Sequence, residues 1–97
     1  MTELPNGWAT AVLGEVAEWS SGGTPRAGTA AYYGGDIPWA VIGDLNDGRV
    51  SLTASTITPL GLQNSSAKIV DKGTVLVAMY GSIGKLGISQ IPMATNQ

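Results

Sequence analysis

Lys72-Gly73-Thr74-Val75-Leu76-Val77-Ala78-Met79-Tyr80-Gly81-Ser82-Ile83-Gly84-Lys85-Leu86-Gly87-Ile88 is the stretch whose reading decides the fold. Thr74 to Tyr80 is nearly continuous in apolar and β-branched residues, the signature of a strand buried on both faces. Gly81 to Gly84 supplies a turn, and Lys85 to Ile88 is short and apolar enough to return beside the first strand. Lys72-Gly73 marks the turn that enters it. A hairpin at this point makes the domain β-rich and excludes a helical bundle.

The rest of the chain agrees. It has 97 residues, with 14 glycines and 5 prolines. Charged residues are 12%, about half of the usual ~25%. A 97-residue chain makes one small domain with a modest core. Ile37 to Leu45 alternates apolar and other residues and predicts a second strand, with Pro38 near its start, where proline is tolerated. Asp47-Gly48 is a hairpin signal, and Arg49 to Leu52 is the expected returning strand. Thr58-Pro59 opens a short helix that ends near Ser65-Ser66, since Thr caps and Pro suits the first helical position. A second helix of one or two turns is expected over Trp8 to Ala17, after the Asn6-Gly7 reversal. Trp19 is placed as the start of a short strand. Ser20 to Pro25 follows as an exposed loop that runs as far as Gly35, because Pro25 lacks an N–H and paired glycines are costly to order. The expected class is α+β: a β-rich mixed or antiparallel sheet, partly barrel-like, with two short helices.

Composition narrows the function. Cysteine and histidine are both absent, which removes thiolate chemistry, disulfides and every Ser-His-Asp arrangement. No apolar run approaches the ~18 residues of a membrane span, and Met1 to Trp8 has no signal-peptide pattern. A cytoplasmic, non-catalytic domain without cofactor or metal is the expectation. Gly81 to Lys85 is too short between its glycines for a phosphate-binding Walker loop. Asp36, Asp44 and Asp47 make a metal site only if they converge; turn and cap roles already account for Asp47 and Asp44. Net charge is −2 and the isoelectric point about 4.7, against a protein that coats nucleic acid. The charges are uneven. Residues 1–48 carry six carboxylates against Arg26 alone, and residues 49–97 carry four cations against Asp71 alone.

Two segments have the chemistry to face DNA. Ser20 to Arg26 offers hydroxyls, two glycines and a guanidinium able to grip guanine O6 and N7. The turn around Gly81 and Gly84, with Lys85 beside it, lets main-chain N–H groups approach a phosphate. A mobile surface loop and a plain hairpin with a surface lysine are the blander readings of the same residues. Tyr32 and Tyr33 are able to stack or to pack, and Trp39 on its strand is expected in the core.

Taken in order, the blocks LPNGW (4–8), LGEV (13–16), SSGGTPR (20–26), YYGGDIPWAVIGDLNDG (32–48), ITPLGLQNSSAKIV (57–70), KGTVLVAMYGSIGKLGI (72–88) and ATNQ (94–97) resemble the target recognition domain of type I restriction–modification specificity subunits. The resemblance implies a non-catalytic protein in which each of two such domains reads one half of a split double-stranded DNA target. It also implies long helices that space the two domains and dock methyltransferase subunits, and restriction subunits that cut. The family continues past ATNQ, so residues 1–97 are expected to be the first part of one recognition domain, with neither spacer helices nor a second recognition domain. The resemblance makes Ser21, Gly22, Gly23, Thr24, Arg26, Tyr80, Ser82 and Lys85 the candidate DNA-facing positions. The alternative is a truncated interaction module that self-associates into homo-oligomers through exposed strand edges.

Overall fold

The structure, a computed structural model, describes residues 17–79 and 83–97. Among the described residues seven short strands and one α-helix follow in order: β1 (Tyr33–Ala40), β2 (Gly48–Val50), β3 (Ser55–Ile57), α1 (Pro59–Gln63), β4 (Ile69–Val70), β5 (Val75–Val77), β6 (Leu86–Ser89) and β7 (Met93–Thr95). Single 3-10 turns occupy Ala30–Tyr32 and Ile42–Asp44. The strands form two sheets, ordered β3-β1-β7-β4 and β2-β6-β5. Both mix parallel and antiparallel pairs. The class is therefore a small mixed α/β fold with few helices. Among the described residues neither sheet closes on itself, so the barrel-like character is not borne out by the pairing. The helix expected over Trp8 to Ala17 lies almost wholly outside the described residues.

The β1 strand organises the larger sheet. It runs antiparallel to β3 on one side and parallel to β7 on the other. Tyr33 and Ile37 both align with Ile57, so a bulge at Gly34-Gly35 breaks the register, and Gly34 takes a φ of +80° there. This corrects the expectation of a loop as far as Gly35: the bulge lets the strand begin at Tyr33. The strand also stops earlier than expected. Asp44 Oδ2 accepts the Val41 N–H at 2.9 Å and its Oδ1 accepts from Ala54 N at 3.0 Å, which folds Ile42–Asp44 into a turn in place of strand. Pro38 sits inside β1 without cost to the ladder. Asn96 N donates to Ala40 O at 3.0 Å, so Ala40 and, two residues earlier, Pro38 turn their main chain toward β7. The parallel register begins only at Trp39 and Ala94.

The hairpin expected at Asp47-Gly48 does not form. The local turn does: Asp47 takes φ +58° and Asn46 Oδ1 accepts from Gly48 N at 2.9 Å. Its outgoing strand β2 leaves β1 and pairs parallel with β6 in the other sheet, Gly48 beside Gly87 and Val50 beside Ser89. Asp47 is the reason. Its N–H donates to Leu86 O at 2.8 Å and its carboxylate accepts from Leu86 N at 2.9 Å, which ties the turn to β6.

The β5–β6 hairpin forms antiparallel as expected, but β5 is shorter and more exposed than its sequence implies. It is the outer strand of its sheet, and Val75 is 60% exposed. Trp19 starts no strand. Helix α1 matches its sequence signals: Thr58 Oγ1 accepts from Gly61 N at 3.0 Å, and Pro59 occupies the first helical position.

Two cores lie on opposite faces of the β1–β7 pair. Trp39, Ile57, Ala67 and Ala94 form one. Ala40, Leu45, Val50, Ala78 and Met93 form the other. Gly87 closes the second, since a Cβ there meets Val50 Cγ2 at 2.7 Å and Leu45 Cδ2 at 2.8 Å. Tyr33 packs edge-on to Trp39, ring centroids 5.9 Å apart. Thr58 joins helix to sheet, because its hydroxyl also donates to Ala31 O at 2.6 Å. Thr58→Ala is expected to lower the unfolding free energy by about 1–2 kcal/mol, read from the urea midpoint at unchanged m-value.

Candidate nucleic-acid interface

The Ser20 to Arg26 segment has no helix or strand of its own, yet it is held at Gly23, Thr24 and Pro25. Gly23 N donates to Thr95 O at 3.0 Å. Gly23 O accepts the buried Trp39 indole N–H at 3.1 Å. The Thr24 hydroxyl donates to Gln97 Oε1, and the Tyr33 hydroxyl donates to Pro25 O. The glycines are needed for this close approach. A Cβ at Gly23 meets Ala67 N at 2.5 Å and the Ser66 carbonyl carbon at 2.6 Å; a Cβ at Gly22 collides with the Thr95 and Asn96 carbonyls. Gly23 and Pro25 are buried. The expectation of a wholly exposed loop is therefore corrected: its middle is a strap lying against β7. Ser21, Thr24 and Arg26 remain exposed.

An open cleft of about 720 Å³ lies beside this strap. Ser21, Gly22 and Thr24 line it together with Lys68, Asn96 and Gln97, and β5 forms the opposite wall. The structure thus brings three of the eight candidate positions together and adds a cation, a carboxylate (Glu18) and two amides that sequence reasoning missed. Gly23 is buried and does not line the cleft. Arg26 and Lys85 do not line it. Lys85 is half-buried at the hairpin, where its carbonyl accepts from Ala78 N at 2.9 Å. Tyr80 and Ser82 lie outside the described residues. The signal for Asn96 and Gln97 was present, since adjacent amides are the side chains that pair with adenine N6 and N7. Lys68 follows the short helix with no local sign of its position.

Tyr33 and Trp39 pack internally. Half-buried Tyr32 supports α1, its carbonyl accepting from Thr58 N at 2.9 Å. Among the described residues no three acidic side chains gather to hold a metal. No helix there is long and apolar enough to cross a membrane.

The family described as "Type I restriction modification DNA specificity domain" matches residues 5–97. The chain belongs to that family. It is 32% identical over 98 residues to the MjaIX type I restriction enzyme specificity subunit of Methanocaldococcus jannaschii, covering 98% of this chain and 23% of the relative. It is 26% identical over 95 residues to the HindI type I restriction enzyme specificity subunit of Haemophilus influenzae, covering 97% of this chain and 21% of the relative. The chain therefore spans less than a quarter of the length of these curated relatives. Within this DNA specificity domain the strap is held by its main chain, and the side chains of Ser21 and Arg26 are exposed while that of Thr24 is tied to Gln97.

The two kinds of position respond differently to substitution. Gly23→Ala is expected to destabilise the domain by about 1–3 kcal/mol through overpacking. Arg26→Ala should stay within about 0.5 kcal/mol of the parent, as for other exposed sites. Thermal melts of both variants beside the parent check the contrast.

Proposed function

We propose that this domain reads one half of a split double-stranded DNA target by equilibrium discrimination, without performing chemistry. Methyltransferase and restriction partners would be directed to the site so marked. The reading unit is the single domain to which these residues belong. The observation that carries the proposal is the strap of Ser20 to Arg26, pinned at Gly23, Thr24 and Pro25 while Ser21 and Arg26 stay exposed. Recognition needs donors held still, because a good bidentate base contact discriminates by about 1–3 kcal/mol only if it is not first ordered at the expense of binding.

The candidate reading set is Ser21, Thr24 and Arg26, with Lys68, Asn96 and Gln97, which line the same cleft as Ser21 and Thr24. Gly22 and Gly23 serve as main-chain framework, and Tyr80, Ser82 and Lys85 belong to the second DNA-facing segment. The acidic balance of the chain fits this division. Base-edge contacts confer specificity, while partner polypeptides supply much of the grip on phosphate. Two or three cations facing the duplex give a salt slope of only about −2 to −3. A cytoplasmic setting follows from a DNA target and from assembly with DNA-modifying partners.

A second reading, self-association, draws on the outer strands. Val75 on β5 is 60% exposed and Ile69 on β4 is 50% exposed, and open apolar edges pair with other chains. Light scattering beside a DNA titration separates the readings.

The decisive experiment is selection from a randomised duplex pool by the full specificity protein assembled with its methyltransferase. Enrichment of a defined half-site is expected. Arg26→Ala should then cost about 1–3 kcal/mol at one base pair and leave the others unchanged. A pool that emerges random would refute recognition, and unaltered discrimination at every position would take Arg26 out of the reading set.

A further inference from the structure

We infer that Tyr33 and Trp39 are positioning residues for base discrimination: the hydroxyl of one and the indole N–H of the other clamp two carbonyls of the strap, and so fix the peptide planes that lead into Arg26 and Thr24. Both act from inside the protein. This inference rests on the recognition reading above and adds to it two residues that do not belong to the reading set.

The strap alternates. Gly23 and Pro25 are buried while Thr24 and Arg26 are exposed, the period of two of an extended chain. Carbonyls two residues apart on such a chain face the same way, about 6–7 Å from each other. Those of Gly23 and Pro25 each meet a ring donor. The Trp39 indole N–H donates to Gly23 O at 3.1 Å, and the Tyr33 hydroxyl donates to Pro25 O. The two rings match that spacing because β1 is bent. Six residues of straight strand would set Tyr33 and Trp39 about 20 Å apart. The bulge at Gly34-Gly35, where Tyr33 and Ile37 both align with Ile57, brings the ring centroids to 5.9 Å.

Each hold reaches an outward residue directly. A peptide unit is planar from one Cα to the next. A bond to Gly23 O therefore fixes the plane that enters Thr24, and a bond to Pro25 O fixes the plane that enters Arg26. Thr24 has a further hold through its hydroxyl on Gln97. The Arg26 carbonyl accepts only a long bond, from Thr29 N at 3.4 Å, so the Tyr33 hydroxyl is the close hold on the main chain that bears the guanidinium. A bidentate grip on guanine tolerates little drift, because its two hydrogen bonds weaken together as their angles close. An Arg26 released at Pro25 must be ordered at the expense of binding. Packing does not need the hydroxyl: the edge-on contact with Trp39 is made by the rings, and phenylalanine preserves it.

The test uses the full specificity protein with its methyltransferase and the half-target obtained by selection, each base pair of which is changed in turn. A bidentate arginine sets a preference of roughly 5- to 150-fold at its own pair. Tyr33→Phe should cut the preference at the Arg26 pair severalfold and leave the other pairs unchanged. In an Arg26→Ala background the same change should do nothing further at that pair, since residues that act as a unit are not additive. Trp39→Phe, which frees the Gly23–Thr24 plane, is the second variant and should also lower that preference. Thermal melts show that each is folded, and either variant alone suffices. Preferences unchanged at every pair, with only the melting temperature lowered, make the hydroxyl a structural group and overturn the inference while recognition stands. An equal loss at all pairs, or a loss at that pair that persists without the Arg26 side chain, overturns it too. Arg26→Ala that alters no pair leaves nothing to be positioned and overturns it likewise. Absence of selective binding by the parent overturns both readings.

Discussion

The parallel pairing of β1 with β7 is the constraint on which the rest of the structure depends. Trp39 lies beside Ala94 and Ala40 beside Thr95. Successive residues of a strand point to opposite faces, so this two-residue register divides its side chains between two cores. Trp39 and Ala94 enter one; Ala40 and Met93 enter the other. Met93 and Ala94 are both 0% exposed. A strand of three residues thus seals two apolar layers, and each layer draws a different sheet around it. The same strand receives the strap, through the bond from Gly23 N to Thr95 O. Loosening the pair would open both cores and release the strap together.

The arrangement separates what must be fixed from what is free to differ. Apart from the Thr24–Gln97 bond, the strap is positioned through main-chain groups: Gly23 gives its N–H to one strand and its carbonyl to the Trp39 indole. Side chains at Ser21 and Arg26 take no part in that anchoring. Substitution there alters the hydrogen-bonding groups offered to a ligand without touching the core, which suits a domain whose family is defined by DNA specificity. The indole bond carries much of this burden, because a buried donor left without a partner costs about 1–3 kcal/mol. Within the smaller sheet Ser89 plays a comparable part. Its buried hydroxyl donates to Asp71 O at 2.8 Å and accepts from Thr74 N at 3.0 Å, which fixes the entry into β5.

Where elements are closed by neighbours in sequence, the residues alone were enough. Helix α1 is legible because Thr58 and Pro59 act within one turn of the chain. The β5–β6 hairpin is legible because its two strands meet across a short turn. The Asp47 turn was legible as a turn, and wrong as a hairpin: turn chemistry states that the chain reverses, not which strand it next lies against. Pairing of β2 with β6 spans about forty residues and leaves no local mark. Burial of β5 was overestimated for a related reason. A run of apolar residues reports hydrophobicity, while exposure depends on whether another strand lies alongside.

The same division holds for the site. By itself the sequence determined the β-rich class, the capped helix, the hairpin and the family, because ordered blocks and local hydrogen-bonding rules are written in consecutive residues. Only the tertiary structure decided that Gly22 and Gly23 are framework, that Lys68, Asn96 and Gln97 share a cleft with Ser21 and Thr24, and that β7 stands at the centre of its sheet. Those facts arise from contacts between distant segments. Such contacts form only when the apolar faces of β1 and β7 are both removed from water, and that is a property of the whole chain.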